Sequence, residues 1–175
     1  MWQGLSFVMT RSIEFDIRSA NQTTPSDTEL EALLWRVYVD GGFTSSELAK
    51  TTLAAASVRE RGDLLVAFDR DSQKLIGTII LVPHHSLAAR FAEDTESEIH
   101  LLAVAPEFRR QGVGRALVEA ALDRARELEC TAVYLWTQGT MAAAHRIYES
   151  VGFHRQPKLD FERNGRSFVV MVVEF

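Results

Sequence analysis

The sequence predicts one α/β (α+β) domain built on a mixed sheet with helices on both faces. Short apolar runs of strand length alternate with stretches of helical periodicity, but only in the second half of the chain. That order calls for parallel and antiparallel pairing within one sheet. The 175 residues suit one domain, and a chain of that length buries about 70% of its unfolded surface without staples. No repeat, low-complexity tract or linker divides it, so residues 1–175 read as one unit.

Residues 15–18 alternate weakly as a first strand. Thr24 can cap a helix that starts at Pro25, with Asp27 complementing its positive end. Leu30, Leu33, Leu34, Val37 and Tyr38 make its apolar stripe, and Gly41-Gly42 stops it. Residues 51–61 read as a second, alanine-rich helix ended by Gly62. Two apolar runs, 63–68 and 75–82, flank a polar turn as an antiparallel hairpin, and Pro83 ends it. Residues 84–97 are polar and irregular and read as a loop. A strand at 99–104, a helix at 113–128, a strand at 132–136 and a helix at 141–150 follow. Phe161 and residues 168–175 flank Asn164-Gly165, a strong hairpin turn signal.

Composition narrows the function. The formal net charge is −5, which argues against a nucleic-acid partner. The single cysteine, Cys130, cannot form an internal disulfide and reads as a buried, inert thiol, so a cytoplasmic location is expected. No apolar run approaches the roughly 18 residues of a membrane span. The stretch before Met9 lacks the basic start and cleavage site of a signal peptide, and residues 1–8 read as an extension outside the fold. His84-His85 has no Cys or acidic ligand at metal-site spacing, so no metal is expected.

One turn carries chemistry. Arg109, Arg110, Gln111, Gly112, Val113, Gly114 and Arg115 lie between a strand and a helix. Glycines let a ligand approach the backbone, and the first N–H groups of a helix are unpaired at its positive end. Together they make a site for a phosphate or pyrophosphate. A helix entry with solvated arginines and no ligand is the plain alternative. The stretch lacks the Gly-Lys-Ser/Thr ending of a Walker loop. It fails the dinucleotide fingerprint because Leu117 stands where glycine or alanine is needed.

Its surroundings are more specific. The run from Glu98 through Val104-Ala105-Pro106 into the Arg109–Gly114 turn resembles the acetyl-CoA-binding core of the GNAT superfamily of N-acetyltransferases. Ala144, Tyr148, Gly152 and Phe153 resemble that family's Ala-x-x-x-Tyr-x-x-x-Gly-Phe ending. The well-matched part covers roughly residues 75–155. The resemblance implies a mostly antiparallel sheet split between two central strands, and acetyl transfer from acetyl-CoA to a primary amine by direct attack. It implies pyrophosphate contacts from the backbone of Gln111, Gly112, Val113, Gly114 and Arg115, with charge from Arg109 and Arg110. Pantetheine would pair with the strand edge at Leu102, Ala103 and Val104, and an N–H near Leu102 would polarise the thioester carbonyl. Tyr148 matches the general acid for the leaving thiolate. Glu98 and His100 are both candidates for the base, and alternation would point both the same way as Leu102. Where many members carry a cofactor-contacting Asn, this chain has Met141, with Thr137 or Gln138 as substitutes.

The acceptor carries no motif. It is a small-molecule or peptide amine, and the protein a monomer or homodimer. The acidic run Glu93-Asp94-Thr95-Glu96 would favour a cationic amine, or is simply a solvated charge run. The rival readings are a non-catalytic acyl-CoA sensor and an interaction module on the same fold.

Overall fold

The computed structural model describes residues 13–21 and 24–175. The expected extension at residues 1–8 lies outside them. The elements are β1 (Phe15–Ser19), α1 (Asp27–Tyr38), α2 (Ser46–Thr52), α3 (Ala55–Arg59), β2 (Asp63–Asp69), β3 (Leu75–Pro83), β4 (Glu96–Val104), α4 (Val113–Glu127), β5 (Ala132–Gln138), α5 (Ala142–Ser150), β6 (His154–Arg155), β7 (Phe161–Arg163) and β8 (Arg166–Glu174). The strands form one sheet in the order β1-β2-β3-β4-β5-β8-β6, with β7 also paired to β8. Every pairing is antiparallel except that of β4 with β5.

Two apolar clusters cover the two faces. Helix α4 presses Leu117, Val118 and Ala121 onto Ile76, Ile99, Leu135 and Met171. Helices α1 to α3 press Leu30, Leu34 and Val58 onto Leu64, Val66, Ile80 and Val82. The mixed sheet with helices on both faces is therefore as the sequence predicts.

Local boundaries differ where a distant partner decides them. Ser26, not Thr24, caps α1. It accepts from the Glu29 N–H while Glu29 bonds back to the Ser26 N–H, a capping box. Thr24 instead donates to the Ala20 carbonyl at 2.7 Å. The predicted helix at 51–61 is two helices. Ser45 caps α2, and α3 starts at Ala55, whose N–H donates to the Glu31 carboxylate of α1 at 2.8 Å. Ala54 has no side chain to cap with, so the cap arrives from another helix.

Strand β4 begins at Glu96, inside the stretch expected to be loop. Glu98, next in that strand, is fully buried with its carboxylate satisfied by backbone N–H groups of residues 90–92. The Asn164-Gly165 turn is formed as expected, both residues at positive φ (52° and 70°) between β7 and β8.

Candidate active site

The sheet is split at its centre. β4 and β5 pair only from Glu96↔Ala132 to Ile99↔Leu135. Beyond that, β4 follows β3 to Val104 and β5 follows β8 to Gln138. A bulge opens the gap: the β3–β4 register slips opposite Thr78 and Ile80, and Leu101 adopts a left-handed φ of 50°. The bulge also reverses which side chains face where. Ile99, Leu102 and Val104 pack on the α4 side, whereas Leu101 and Ala103 pack on the α1 side. Glu98 and His100 alternate with Ile99 and so share the α1 face. Leu102 therefore does not point with Glu98 and His100, because the inserted residue restarts the alternation. The Tyr38 hydroxyl of α1 donates to the Leu102 carbonyl at 2.9 Å and ties the bulge down.

The basic turn lies at the end of this strand. A single 3-10 turn, Pro106–Phe108, leads from β4 into Arg109. Gly112 caps α4 with φ of 86° and no capping side chain. None of the backbone N–H groups of Gln111, Gly112, Val113, Gly114 and Arg115 finds an acceptor among the described residues. Gly114 is needed for a different reason: a Cβ there would stand 3.1 Å from the Ile147 side chain of α5. The side chains are less free than the backbone. Arg115 pairs with Glu119 at 2.9 Å, Arg109 donates to the Val104 carbonyl, and Gln111 to that of Glu107. Arg110 is exposed and stands at φ of 60°. Glu107 is held in turn by Arg36 of α1 through two hydrogen bonds.

Tyr148 projects from α5 into the same cleft, a cavity of about 120 Å³ that His100, Leu102, Trp136 and Met141 also line. Its ring meets Phe153 edge to face, and burial pushes its hydroxyl pKa well above the ordinary value. A hydroxyl held protonated in this way is a donor across the whole physiological range.

Glu98 and His100 form one unit. Glu98 Oε2 bonds His100 Nε2 at 2.7 Å, and Oε1 accepts from the N–H groups of Arg90, Phe91 and Ala92. Burial alone would raise the Glu98 carboxyl, but the His100 bond and the backbone donors outweigh it and hold the pKa below 4.5. The glutamate is thus a fixed anion with no oxygen left for a ligand. His100 is the member of the pair that lines the cleft.

Several cleft residues carry no sequence signal. Trp136 of β5 meets His100 edge to face, and Phe168 and Phe161 extend the aromatic wall. Arg61 lines the cleft beside Tyr38. Gln138, considered as a substitute for the missing Asn at Met141, is occupied by the Phe43 carbonyl and by Arg166. Thr137 donates only to the Met141 sulfur, at 3.7 Å. The acidic run from Glu93 to Glu96 lies at the paired end of β4, roughly 13 Å of strand from His100. It does not line the cleft. His84 and His85 stack edge to face in the turn after β3.

A centrally split mixed sheet with an unsatisfied helix N-terminus at the open end defines the N-acetyltransferase class of fold. The chain belongs to the Acetyltransferase (GNAT) family, whose pattern it matches over residues 27–153. It resembles the solved GNAT acetyltransferase of Staphylococcus aureus Mu50, with a TM-score of 0.71 at 16% identity over 92% of this chain and 99% of that one. It also resembles a Bacillus subtilis acetyltransferase in complex with CoA, with a TM-score of 0.64 at 21% identity over 93% and 99% of the two chains. Among curated relatives, the ribosomal protein bS18-alanine N-acetyltransferase of Escherichia coli K12 is 37% identical over 59 residues, 34% of this chain and 40% of that protein. A mycothiol acetyltransferase of Nocardiopsis dassonvillei is 41% identical over 56 residues, 32% and 17% of the two chains. The matched segments thus span well under half of those relatives.

Proposed function

We propose that the protein, acting as a single catalytic domain, transfers the acetyl group of acetyl-CoA to the amine of a small molecule or peptide. The observation that carries this reading is the row of five unsatisfied N–H groups, from Gln111 to Arg115, at the open end of the split. They suit the pyrophosphate of CoA, and the gap between β4 and β5 suits its extended pantetheine arm.

The chemistry follows from what lines the gap. The amine nitrogen attacks the thioester carbon, and the carbonyl electrons move onto oxygen. When they return, the C–S bond breaks and the sulfur takes a proton from the Tyr148 hydroxyl. The ammonium proton passes to His100, directly or through water, and Glu98 stabilises the imidazolium that forms. Glu98 therefore serves as a positioning residue for His100, and no covalent enzyme intermediate forms. Proximity of the two substrates supplies most of the acceleration.

Calorimetric titration with acetyl-CoA, followed by thiol release with an amine panel, tests the proposal. Saturable binding and CoA release with at least one amine are expected. Absence of acetyl-CoA binding would overturn the donor assignment. Binding without release for any amine would leave an acyl-CoA sensor in its place.

A further inference from the structure

We infer that the acceptor is a small amine that carries its own carboxylate, and that Arg61 receives that carboxylate in the cleft. The inference rests on the acetyltransferase reading and names the class of its acceptor.

Arg61 stands just before β2 and lines the cleft together with His100, Trp136 and Tyr148. One of its nitrogens donates to the Thr52 carbonyl at the end of α2, which fixes the side chain in place. No carboxylate of the described residues pairs with it, and residues 1–12, 22 and 23 include no Asp or Glu. Its charged neighbourhood contains only the buried Tyr38 phenol, whose own pKa is pushed up, so the phenol offers no anion at neutral pH. Burial lowers the Arg61 pKa, the sign of a cation short of compensation.

The rest of the cleft agrees in sign. No Asp or Glu lines it. Glu98, behind His100, has both oxygens filled. Arg166 donates to Gln138, one of the residues that line the cleft, and to the Gly42 carbonyl. A purely cationic amine would meet the Arg61 guanidinium and no carboxylate among the residues that line this cleft. A guanidinium pre-positioned in a partly desolvated pocket instead favours a carboxylate held by two parallel hydrogen bonds. Trp136 and Phe168 beside it suit an apolar or aromatic side chain. These features describe a free amino acid better than a polypeptide N-terminus, whose carboxyl is already an amide.

The test compares kcat/KM, expressed per deprotonated amine at one near-neutral pH, for matched probes: L-phenylalanine, L-phenylalaninamide and phenethylamine, then L-methionine and L-leucine with their amides. The wild-type protein should prefer each free acid over its amide by about 10- to 100-fold, the range of one hydrogen-bonded charge interaction. Arg61→Gln should reduce that preference to about two-fold or less, with acetyl-CoA titration confirming that the variant is folded. The wild-type comparison stands even where the variant does not fold. Equal or faster turnover of the amides or of phenethylamine overturns this inference while leaving acetyl transfer intact. Failure to bind acetyl-CoA at all removes the acetyltransferase reading, and this one with it.

Discussion

At the open end of the split, the unsatisfied N–H groups come from five consecutive residues, Gln111 to Arg115. Along the inner wall of the cleft the lining groups come from α1, the segment before β2, β4, β5, α5 and β8. The first site is made of backbone, so its requirements are glycine at a left-handed position and a helix start. The second is made of side chains whose only relation is spatial. A backbone site suits a donor that never varies, and a side-chain site lets the acceptor change without disturbing the donor.

Variants on either side should separate accordingly. The largest effect is expected for Gly112→Glu, which forces a side chain into φ of 86° and places a carboxylate against a phosphate. Like-charge repulsion near 4 Å is worth about 4 kcal/mol at an effective dielectric near 20, so acetyl-CoA affinity should fall roughly 10³-fold by calorimetry. Normal affinity would break the assignment of the turn. Tyr148→Phe should lower kcat about 10²-fold and leave the donor affinity nearly unchanged. Equal losses in both would mean that Tyr148 belongs to donor binding rather than to the chemistry.

Glu98→Gln should destabilise the fold by about 1–3 kcal/mol at pH 7, since one anion satisfies three backbone donors. The folded pKa of Glu98 lies below its ordinary value of 4.5, so its contribution is fully present above that value. It fades as the pH falls through the folded pKa. Urea melts of wild type and variant should therefore diverge at pH 7 and converge in acid. A gap that persists at low pH would show that the charge is not what matters. The smallest effect is expected from Tyr38→Phe, which leaves the Leu102 carbonyl without its donor at a cost of about 1 kcal/mol. Acetyl-CoA affinity should hardly move, and a large loss would mean that the bulge shapes the donor site as well.

The sequence was most legible where chemistry is contiguous. The turn, the Tyr148 helix and the Asn164-Gly165 hairpin follow from neighbouring residues alone. It was least legible where one element completes another. Glu31 caps α3 from α1, and the residue 90–92 backbone satisfies the carboxylate of Glu98 inside the protein. Arg61, Trp136 and Phe168 read as ordinary polar or apolar positions, because a wall assembled from several elements leaves no spacing to recognise. The bulge at Leu101 was hidden as well, since leucine carries no signal for a left-handed residue.

That leucine has a consequence for how the protein tolerates change. A non-glycine residue at φ of 50° costs on the order of 1–2 kcal/mol, and the surrounding fold sustains it before any substrate arrives. The slot between the strands is therefore cut by the fold itself, before anything enters it. Drift in the sequence that relaxed this kink would make a sturdier protein with a closed seam, and selection for stability alone would erase the gap.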